Sequence, residues 1–435
     1  MRSYDADYRK KLMTPARAVK MIRNGDTVVP GLAAAEPPAI LGAMADRLRA
    51  GNLTGIKIYS LFATSYAAKT VLAPDLADCV EAYTWFVSAS NRKMVKVGLD
   101  YFVPNYFHQV PKICREYMNI DCTVTTVSPM DKSGYFSFGT ANDFTSTAAR
   151  HCRRLLVEVN RFMPRVFGES LLHVSEVDAI VENHIPLLEV PPGDAPPEVD
   201  MIGKQIAELV PDGATIQLGV GAIPNAVAYC LSGHKDLGIH TETFVPGMVD
   251  LIEKGVVTGC KKTLHPRKHV STLTFATREV YDFMNDNPSI ETYPVSHTND
   301  PAIIAMNDNM ISVNSILEVD LLGQANAEYL GDAQYSGTGG QVDYVRGAFN
   351  AKGGKSFLAF YSTAKNQTVS RVVPRLKSGA VVTTSRMDVH YLVTEHGLFN
   401  LKGKSTKERA LDIISLAHPK FRDDLLREAE DMYLL

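Results

Sequence analysis

The sequence lacks the signals of a membrane-spanning or secreted protein. No window approaches about 18 consecutive apolar residues, so we expect no membrane span. The stretch 1–11 is charged and has no apolar signal-peptide core. The six cysteines include no C-x-x-C pair, and such sparse use suits a reducing compartment, where thiols serve as small apolar fillers. We therefore expect a cytoplasmic protein.

An excess of charge of one sign is also missing. The chain has 45 basic and 48 acidic residues, whereas nucleic-acid binders usually show a basic excess. It contains no H-E-x-x-H metal motif, no G-x-S-x-G elbow and no Walker lysine loop. We expect no metal and no nucleic-acid or membrane partner. With 435 residues, 45% of them hydrophobic, the chain has the composition of a globular protein of about two or three domains.

Proline pairs mark a boundary near the middle of the chain. The segment 190–200 reads VPPGDAPPEVD, and two Pro-Pro pairs with a glycine cannot continue a helix or a central strand. We expect an N-terminal domain over residues 1–190, a Pro-rich linker over 191–200 and a C-terminal domain over 201–435. Residues 14–31 and 202–219 both suggest a helix, a turn, a strand and a glycine, which favours an ancient duplication.

Both halves alternate short β-rich runs with amphipathic helical patterns. Runs such as 123–127 and 215–218 are strand-like, and 37–48 and 407–417 are helix-like. This alternation predicts two α/β domains in which helices cover parallel sheets. Ligands of such sheets bind outside the carboxyl ends of the strands.

A glycine loop follows one of these strands. Gln217 and Leu218 end the strand, Gly219-Val220-Gly221 forms the loop, and Pro224 fits the first turn of the next helix. Two glycines let a ligand approach the main chain, and the helix N-terminus offers N–H groups to an anion. A tight turn without a ligand explains the pattern equally well. Pro224 replaces the third glycine of a dinucleotide fingerprint, which argues against that fold.

Three acidic residues are candidates for chemistry. Glu242, in GIHTE, is placed by the pattern at the end of a strand before a turn. It is either a solvated or helix-capping acid or a nucleophile that attacks an activated acyl group. Glu318 lies where acids alternate with apolar residues and is a rival nucleophile. Glu395 beside His396 can form an acid–base pair.

Two further loops can bind a ligand. Gly337, Gly339 and Gly340 give a loop whose backbone can donate N–H groups to an oxyanion, or else a flexible hairpin. Lys365 follows a second glycine loop, at 352–355, and can pair with phosphates or remain a solvated surface lysine.

Taken together, these motifs resemble the acetyl-CoA hydrolase/transferase family. The matching segments are PDGATIQLGVGAIPNAV, GIHTE, NSILEVDLLGQ, SGTGGQVDYVRGA and TEHG. The chain looks most like 4-hydroxybutyrate CoA-transferases and their butyryl- and itaconate-handling relatives, over nearly its whole length. The resemblance implies two similar open α/β domains of the NagB/RpiA-like CoA-transferase fold, with the active site between them.

The resemblance also implies roles for individual residues. It makes Glu242 the nucleophile, oriented by His240 and Thr241, and gives Glu318 a structural role. It places an acyl pocket at Leu61 and the loop 31–33. The residues implied to bind the CoA thioester or its oxyanion are Gln217, Leu218, Gly219, Val220, Gly221, Asn314, Ile316, Gly337, Gly339, Gly340 and Lys365.

The implied activity is CoA transfer between a short-chain acyl-CoA and a free carboxylic acid, such as 4-hydroxybutyrate, butyrate, acetate or itaconate. It would follow ping-pong kinetics through a glutamyl-CoA thioester, with coenzyme A as a substrate and without a metal. An acyl-CoA hydrolase that uses the same glutamate is the nearest alternative, and a catalytically silent ligand-binding module is a more distant one. By analogy, a homodimer or homotetramer is expected.

Overall fold

The computed structural model describes residues 4–190 and 196–435, which form two compact units. The first unit contains Met1–Pro191, Val270–Thr298 and Gln334–Gly337, and the second contains Pro192–His269, Asn299–Ala333 and Thr338–Leu435. The units therefore differ from the contiguous domains expected from the sequence, because two later segments belong to the first unit. Residues 191–195 of the expected linker lie outside the described residues. A helix already begins at Glu198, inside the stretch assigned to the linker.

The first unit is built on a seven-stranded parallel sheet. Its strands, in chain order, are β1 Thr27–Pro30, β2 Ile56–Ser60, β3 Val80–Thr84, β4 Asp100–Phe102, β5 Cys122–Val127, β6 Arg154–Val159 and β7 Ala179–Glu182. Their order in the sheet is β7-β6-β5-β1-β2-β3-β4, and all the pairings are parallel. The interior strand β5, next to the central strand β1, is buried at every residue, as expected for a parallel sheet with helices on both faces.

The second unit has its own sheet, of six strands. They are β8 Thr215–Leu218, β9 Gly238–Ile239, β10 Met310–Ser315, β11 Lys355–Ala359, β12 Tyr391–Thr394 and β13 Gly397–Asn400, in the order β9-β8-β10-β11-β12-β13. Only the last pair, β12 with β13, is antiparallel. The prediction of an α/β protein with parallel sheets is confirmed.

Helices surround each sheet, and short strands complete the loops. The α-helices are Asp5–Lys11, Pro15–Ala18, Pro38–Arg49, Ser65–Lys69, Arg92–Lys96, Val110–Glu116, Thr145–His151, Glu198–Ala207, Ala222–Cys230, Pro246–Glu253, Arg278–Met284, Val295–Thr298, Pro301–Ile304, Gln341–Asn350, Thr406–Leu416 and Arg422–Asp431. The short strands are Tyr135–Ser137, Phe167–Gly168, Leu171–His173, His269–Ser271, Ile290–Thr292, Glu318–Asp320, Ala325–Asn326, Tyr329–Leu330, Ala333–Gln334, Thr363–Ala364, Val369–Ser370 and Val372–Val373. No helix among residues 4–190 and 196–435 combines the length and apolar character needed to cross a membrane.

The first sheet buries both of its faces. Val28 belongs to one apolar cluster, with Ile40 and Met44 of the helix Pro38–Arg49. The next residue, Val29, belongs to a second cluster with Trp85, because successive side chains of a strand point to opposite faces. Each large apolar side chain buried in this way contributes about 1.5–3 kcal/mol.

Two buried carboxylates fix helix starts in the first unit. Glu158 of β6 accepts hydrogen bonds from the N–H groups of Ala39 and Ile40, at 3.0 and 3.1 Å. Glu36 accepts hydrogen bonds from the N–H groups of Thr64 and Ala67, at 2.8 and 3.1 Å, and from the Thr64 hydroxyl. Burial raises the pKa of each carboxyl from its ordinary value of 4.5 to about 7. Both acids therefore retain their protons more strongly in the folded chain than in the unfolded chain.

Glu36→Gln should change the pH dependence of stability. In the wild type, Glu36 ionises above about pH 4.5 in the unfolded chain but only above about pH 7 in the folded chain. The free energy of unfolding therefore falls as pH rises through this window, by at most about 3 kcal/mol. The variant lacks this loss, so its stability relative to the wild type should increase with pH across that window. Urea unfolding of both proteins between pH 4.5 and 8 measures the difference, and a constant offset at every pH would contradict the prediction.

Candidate active site

The carboxyl ends of the strands in the second sheet bring several of the predicted residues to one edge. Gly219 follows β8, Asn314 lies in the last two residues of β10, and the segment His240–Glu242 follows β9. Because these strands are parallel, their ends lie at the same edge, where α/β sheets bind ligands. The strand β9 ends at Ile239, and Glu242 lies in a bend three residues later. The expectation that Glu242 ends a strand is wrong, because the segment has already left the sheet.

A buried asparagine holds the Glu242 carboxylate. The Nδ2 atom of Asn299 donates a hydrogen bond to Oε2 of Glu242 at 2.6 Å. Asn299 is fully buried, whereas Glu242 is only partly buried. The next residue, Asp300, caps the short helix Pro301–Ile304 by accepting the N–H of Ala302 at 2.8 Å. The sequence analysis missed Asn299, because no local pattern relates it to a residue 57 positions earlier.

Gly340 leaves the space that this carboxylate occupies. It immediately precedes the helix Gln341–Asn350 and has an ordinary negative φ of −94°. A Cβ atom at this position would overlap with Oε2 of Glu242 and with Nδ2 of Asn299. The glycine is therefore required here by the close approach of the two side chains rather than by the backbone conformation.

Two aromatic rings are buried behind the glutamate. Tyr344, one turn into the helix after Gly340, is fully buried, and its ring centre lies 6.5 Å from that of the equally buried His240. Burial first, and then the negative charges of Glu242 and Asp343, raise the pKa of Tyr344 well above its usual value. Tyr344 therefore stays protonated near the glutamate. It is a second residue that sequence reasoning missed.

Gln217 and Asn314 form a reciprocal amide pair across neighbouring strands. Nε2 of Gln217 donates to Oδ1 of Asn314 at 3.2 Å, and Nδ2 of Asn314 donates to Oε1 of Gln217 at 3.1 Å. Both side chains are at least nine-tenths buried. Each amide has two N–H bonds, so this pairing fixes the direction in which its second N–H points.

The glycine loop after β8 partly differs from the expectation. The N–H of Gly219 donates to the carbonyl of Val313 at 2.9 Å, so this N–H completes the sheet and is not an oxyanion donor. Gly221, at φ 125°, precedes the helix Ala222–Cys230, and no atom lies within 4 Å of a Cβ built on it. Val220 is 66% exposed, whereas the Leu218 side chain is buried in the core. The accessible part of the loop is therefore 220–221.

The second glycine loop is divided between the units. Gly337 belongs to the first unit, where a Cβ would lie 2.9 Å from Cδ2 of Phe86 and 3.1 Å from the carbonyl oxygen of Trp85. Gly339, at φ 54°, and Gly340 belong to the second unit. Gly337 is therefore packed against the first unit, whereas the backbone at Gly339 and Gly340 belongs to the same unit as Glu242.

The remaining predicted residues have varied surroundings. The Ile316 side chain is buried in the apolar core of the second unit, so its side chain is not accessible to a ligand. Lys365 is exposed at the start of a turn in which Lys365, Asn366 and Gln367 all have positive φ. Glu318 accepts a hydrogen bond from Nδ2 of Asn326 at 2.9 Å, as a structural acid would.

The Glu395 and His396 pair is already engaged in local contacts. Glu395 accepts hydrogen bonds from the backbone N–H of Ser362, at 3.0 Å, and from the Ser362 hydroxyl. Oε1 of Glu395 lies 3.5 Å from Nε2 of His396. Burial lowers the pKa of His396 despite the adjacent carboxylate. This pair ties two loops together.

The proposed acyl-pocket residues lie in the first unit. Leu32, Ala33 and Leu61 follow β1 and β2 and are buried in an apolar cluster with Trp85 and Phe144. Within the described ranges of the chain, no three His, Cys, Asp or Glu side chains are grouped so that they could hold a metal ion.

Family models match both halves of the chain. The acetyl-CoA hydrolase/transferase N-terminal domain matches residues 1–189, and the corresponding C-terminal domain matches residues 276–429. The chain belongs to the acetyl-CoA hydrolase/transferase family.

Relatives match over the full length. The chain is 43% identical to the succinyl-CoA:cyclohexane-1-carboxylate CoA transferase of Geobacter metallireducens, covering 99% of this chain and 98% of the relative. It is also 43% identical to the 4-hydroxybutyrate coenzyme A transferase of Clostridium kluyveri, over 97% of each chain. The crystal structure of RipA from Yersinia pestis is 48% identical, covers both chains completely and superposes with a TM-score of 0.97.

Gly340→Ala should inactivate the enzyme, because the added methyl group displaces the Glu242 carboxylate. A misplacement of about 1 Å can cost about 100-fold in rate, so we expect at least that loss in kcat for CoA transfer. Gly233→Ala is the matched control, because a Cβ there meets no atom within 4 Å. Normal turnover of Gly340→Ala would show that the carboxylate is not held at this position during catalysis.

Proposed function

We propose that this protein transfers coenzyme A from a short-chain acyl-CoA to a free carboxylic acid, with Glu242 as the nucleophile. Acids of the 4-hydroxybutyrate, butyrate, acetate and itaconate class are the expected substrates. Enzymes named as CoA transferases match the chain over its whole length, and CoA transfer is the activity class of this chain. The observation that carries the proposal is a glutamate held at the sheet edge by Asn299 and given space by Gly340.

The first chemical step uses the oxygen of Glu242 that Asn299 does not bind. Asn299 donates to Oε2, so Oε1 attacks the thioester carbonyl carbon. The carbon–sulfur bond breaks, the CoA thiolate leaves, and an acyl–glutamyl anhydride forms. A carboxylate is a weak nucleophile in water because it is strongly solvated, and partial burial removes some of that water.

The second step returns the thiolate to the enzyme. The sulfur attacks Cδ of Glu242, the anhydride bond breaks, and the first acid leaves as a carboxylate, so that a glutamyl-CoA thioester remains. Negative charge then develops on the glutamyl oxygen that Asn299 already contacts. Asn299 can therefore stabilise this oxyanion, and one such donor is typically worth about 3–4 kcal/mol. A second acid repeats the two steps in reverse, which gives ping-pong kinetics.

The oxyanion of the acyl group needs separate donors. We assign them to the second amide N–H of Gln217 and to the backbone N–H groups at Gly221 and Gly340. The Gln217 amide is fixed by Asn314 and so is oriented before substrate binds. The positive end of the helix Ala222–Cys230 adds to the field at Gly221. In this assignment Val220, Gly339 and Lys365 contact the rest of the coenzyme.

An acyl-CoA hydrolase would use the same glutamate, with water in place of the second acid. The transferase assignment has more support, because the matches over the whole length of the chain are to transferases. Measuring CoA release with and without an acceptor acid separates the two activities. A panel of acids tested against acetyl-CoA, succinyl-CoA and butyryl-CoA would then identify the physiological pair.

Glu242→Ala should abolish transfer, and Glu242→Asp should lose most of it, because aspartate is shorter by one methylene and reaches the carbonyl less often. Steady-state assays of transfer from butyryl-CoA to acetate measure both. Hydroxylamine added after acyl-CoA alone should inactivate the wild type by trapping the thioester, but should have no effect without acyl-CoA. Glu253→Ala, which removes an exposed acid, is the control and should keep full activity. Full activity in Glu242→Ala would contradict the assignment of Glu242 as the nucleophile.

A further inference from the structure

The segment that carries Glu242 follows a short strand of the second sheet. The strand β9 has two residues and lies at the sheet edge, beside β8. The N–H of Gly238 donates to Ala214 at 2.8 Å, and the N–H of His240 donates to Ile216 at 3.2 Å. Residues 238 and 240 therefore face β8, and the carbonyl of Ile239, between them, points to the other side, where Leu237 pairs with the segment 256–259. That bridge joins Leu237 to Val257 and does not include Ile239, whose carbonyl needs another donor.

A buried lysine supplies the missing hydrogen bond. The ammonium of Lys262 donates to the carbonyl of Ile239 at 2.8 Å and to the carbonyl of Lys268 at 2.7 Å. Lys262 is only 4% exposed, which is rare for a lysine. Hydrogen bonds from an ionised donor are stronger than neutral ones. The ammonium therefore binds the last residue of β9, two residues beyond the pairing at Leu237.

The sequence around Lys262 supports this placement. A Cβ on Gly238 would overlap with Cγ of Lys262 and lie 2.8 Å from Cδ, so the lysine stem crosses the strand where a side chain is missing. The N–H of Lys262 donates to the carbonyl of Gly259 at 3.2 Å, and the N–H of Arg267 donates to the same carbonyl at 2.9 Å, which closes the loop 259–267. The stem and the ammonium are thus both fixed against β9.

We propose that Lys262 is a positioning residue for CoA transfer, which sets the position of the Glu242 carboxylate by binding the carbonyl three residues before it. The inference rests on the proposed role of Glu242 as nucleophile. The carboxylate of Glu242 must accept the hydrogen bond from the Asn299 amide and also fit the space beside Gly340, where a Cβ atom is absent. A shift of the strand end would move it from both, and a small misplacement of a reacting group is costly in rate.

The test compares Lys262→Met with Lys261→Met. Methionine keeps most of the apolar stem of Lys262 and removes the ammonium, whereas Lys261 is the exposed neighbour. For Lys262→Met we expect kcat to fall about 100-fold and the KM for acyl-CoA to stay within about threefold. The rate of glutamyl-CoA formation after mixing with acyl-CoA should fall in parallel with kcat. Lys261→Met should match the wild type in all three.

Other outcomes are equally decisive. A kcat of Lys262→Met within about twofold of wild type, or a raised KM with normal kcat, would overturn the inference. If Lys262→Met does not fold, Gly238→Ala decides in its place, because it displaces the lysine stem and keeps the ammonium. A tenfold fall in its kcat with an unchanged KM supports the inference, and normal kcat overturns it. If Glu242→Ala is also fully active, the proposed function itself fails. If Lys262→Met is fully active and Glu242→Ala is inactive, the positioning role of Lys262 fails and the proposed function stands.

Discussion

The site depends on a carboxylate and an amide that share a space from which a methyl group is excluded. Glu242 is held by a 2.6 Å hydrogen bond from Asn299, and both side chains lie against the Cα of Gly340. The hydrogen bond binds one oxygen of the carboxylate, and in the proposed mechanism the other oxygen attacks the thioester. In that proposed mechanism the Asn299 donor would stay in place while the oxygen it binds becomes a carbonyl and then an oxyanion, so the steps would need no reorganisation of this donor.

The parallel sheet of the second unit supplies the frame for this arrangement. Adjacent strands end at one edge, so groups that are far apart in the sequence are brought together with little freedom. The amide pair between Gln217 and Asn314 locks two neighbouring strands and orients a donor. The shortest strand of this sheet is the two-residue strand β9, and the ammonium of Lys262 binds the carbonyl of its last residue, Ile239. Under the proposed mechanism, these contacts support the segment that carries the nucleophile.

The sequence predicted the features that arise from local pattern. Strand and helix alternation predicted the parallel sheets, and the run 215–218 coincides with β8. Hydrophobic periodicity and glycine positions carry that information. The partners of Glu242 could not be predicted in the same way. Asn299 and Tyr344 reach the glutamate only through tertiary packing, and Lys262 resembles any other lysine until its burial is known. The N–H of Gly219 was misassigned because only the strand register shows that it binds Val313.

The central claim is that Glu242 becomes covalently bound to coenzyme A during turnover. The most direct measurement is mass spectrometry of the protein after incubation with acyl-CoA alone, followed by proteolysis. The account predicts that the intact mass increases by that of coenzyme A less one water, and that the modification maps to Glu242 and is absent from Glu242→Gln. A modification on any other residue, or turnover with no covalent species in rapidly quenched samples, would contradict it.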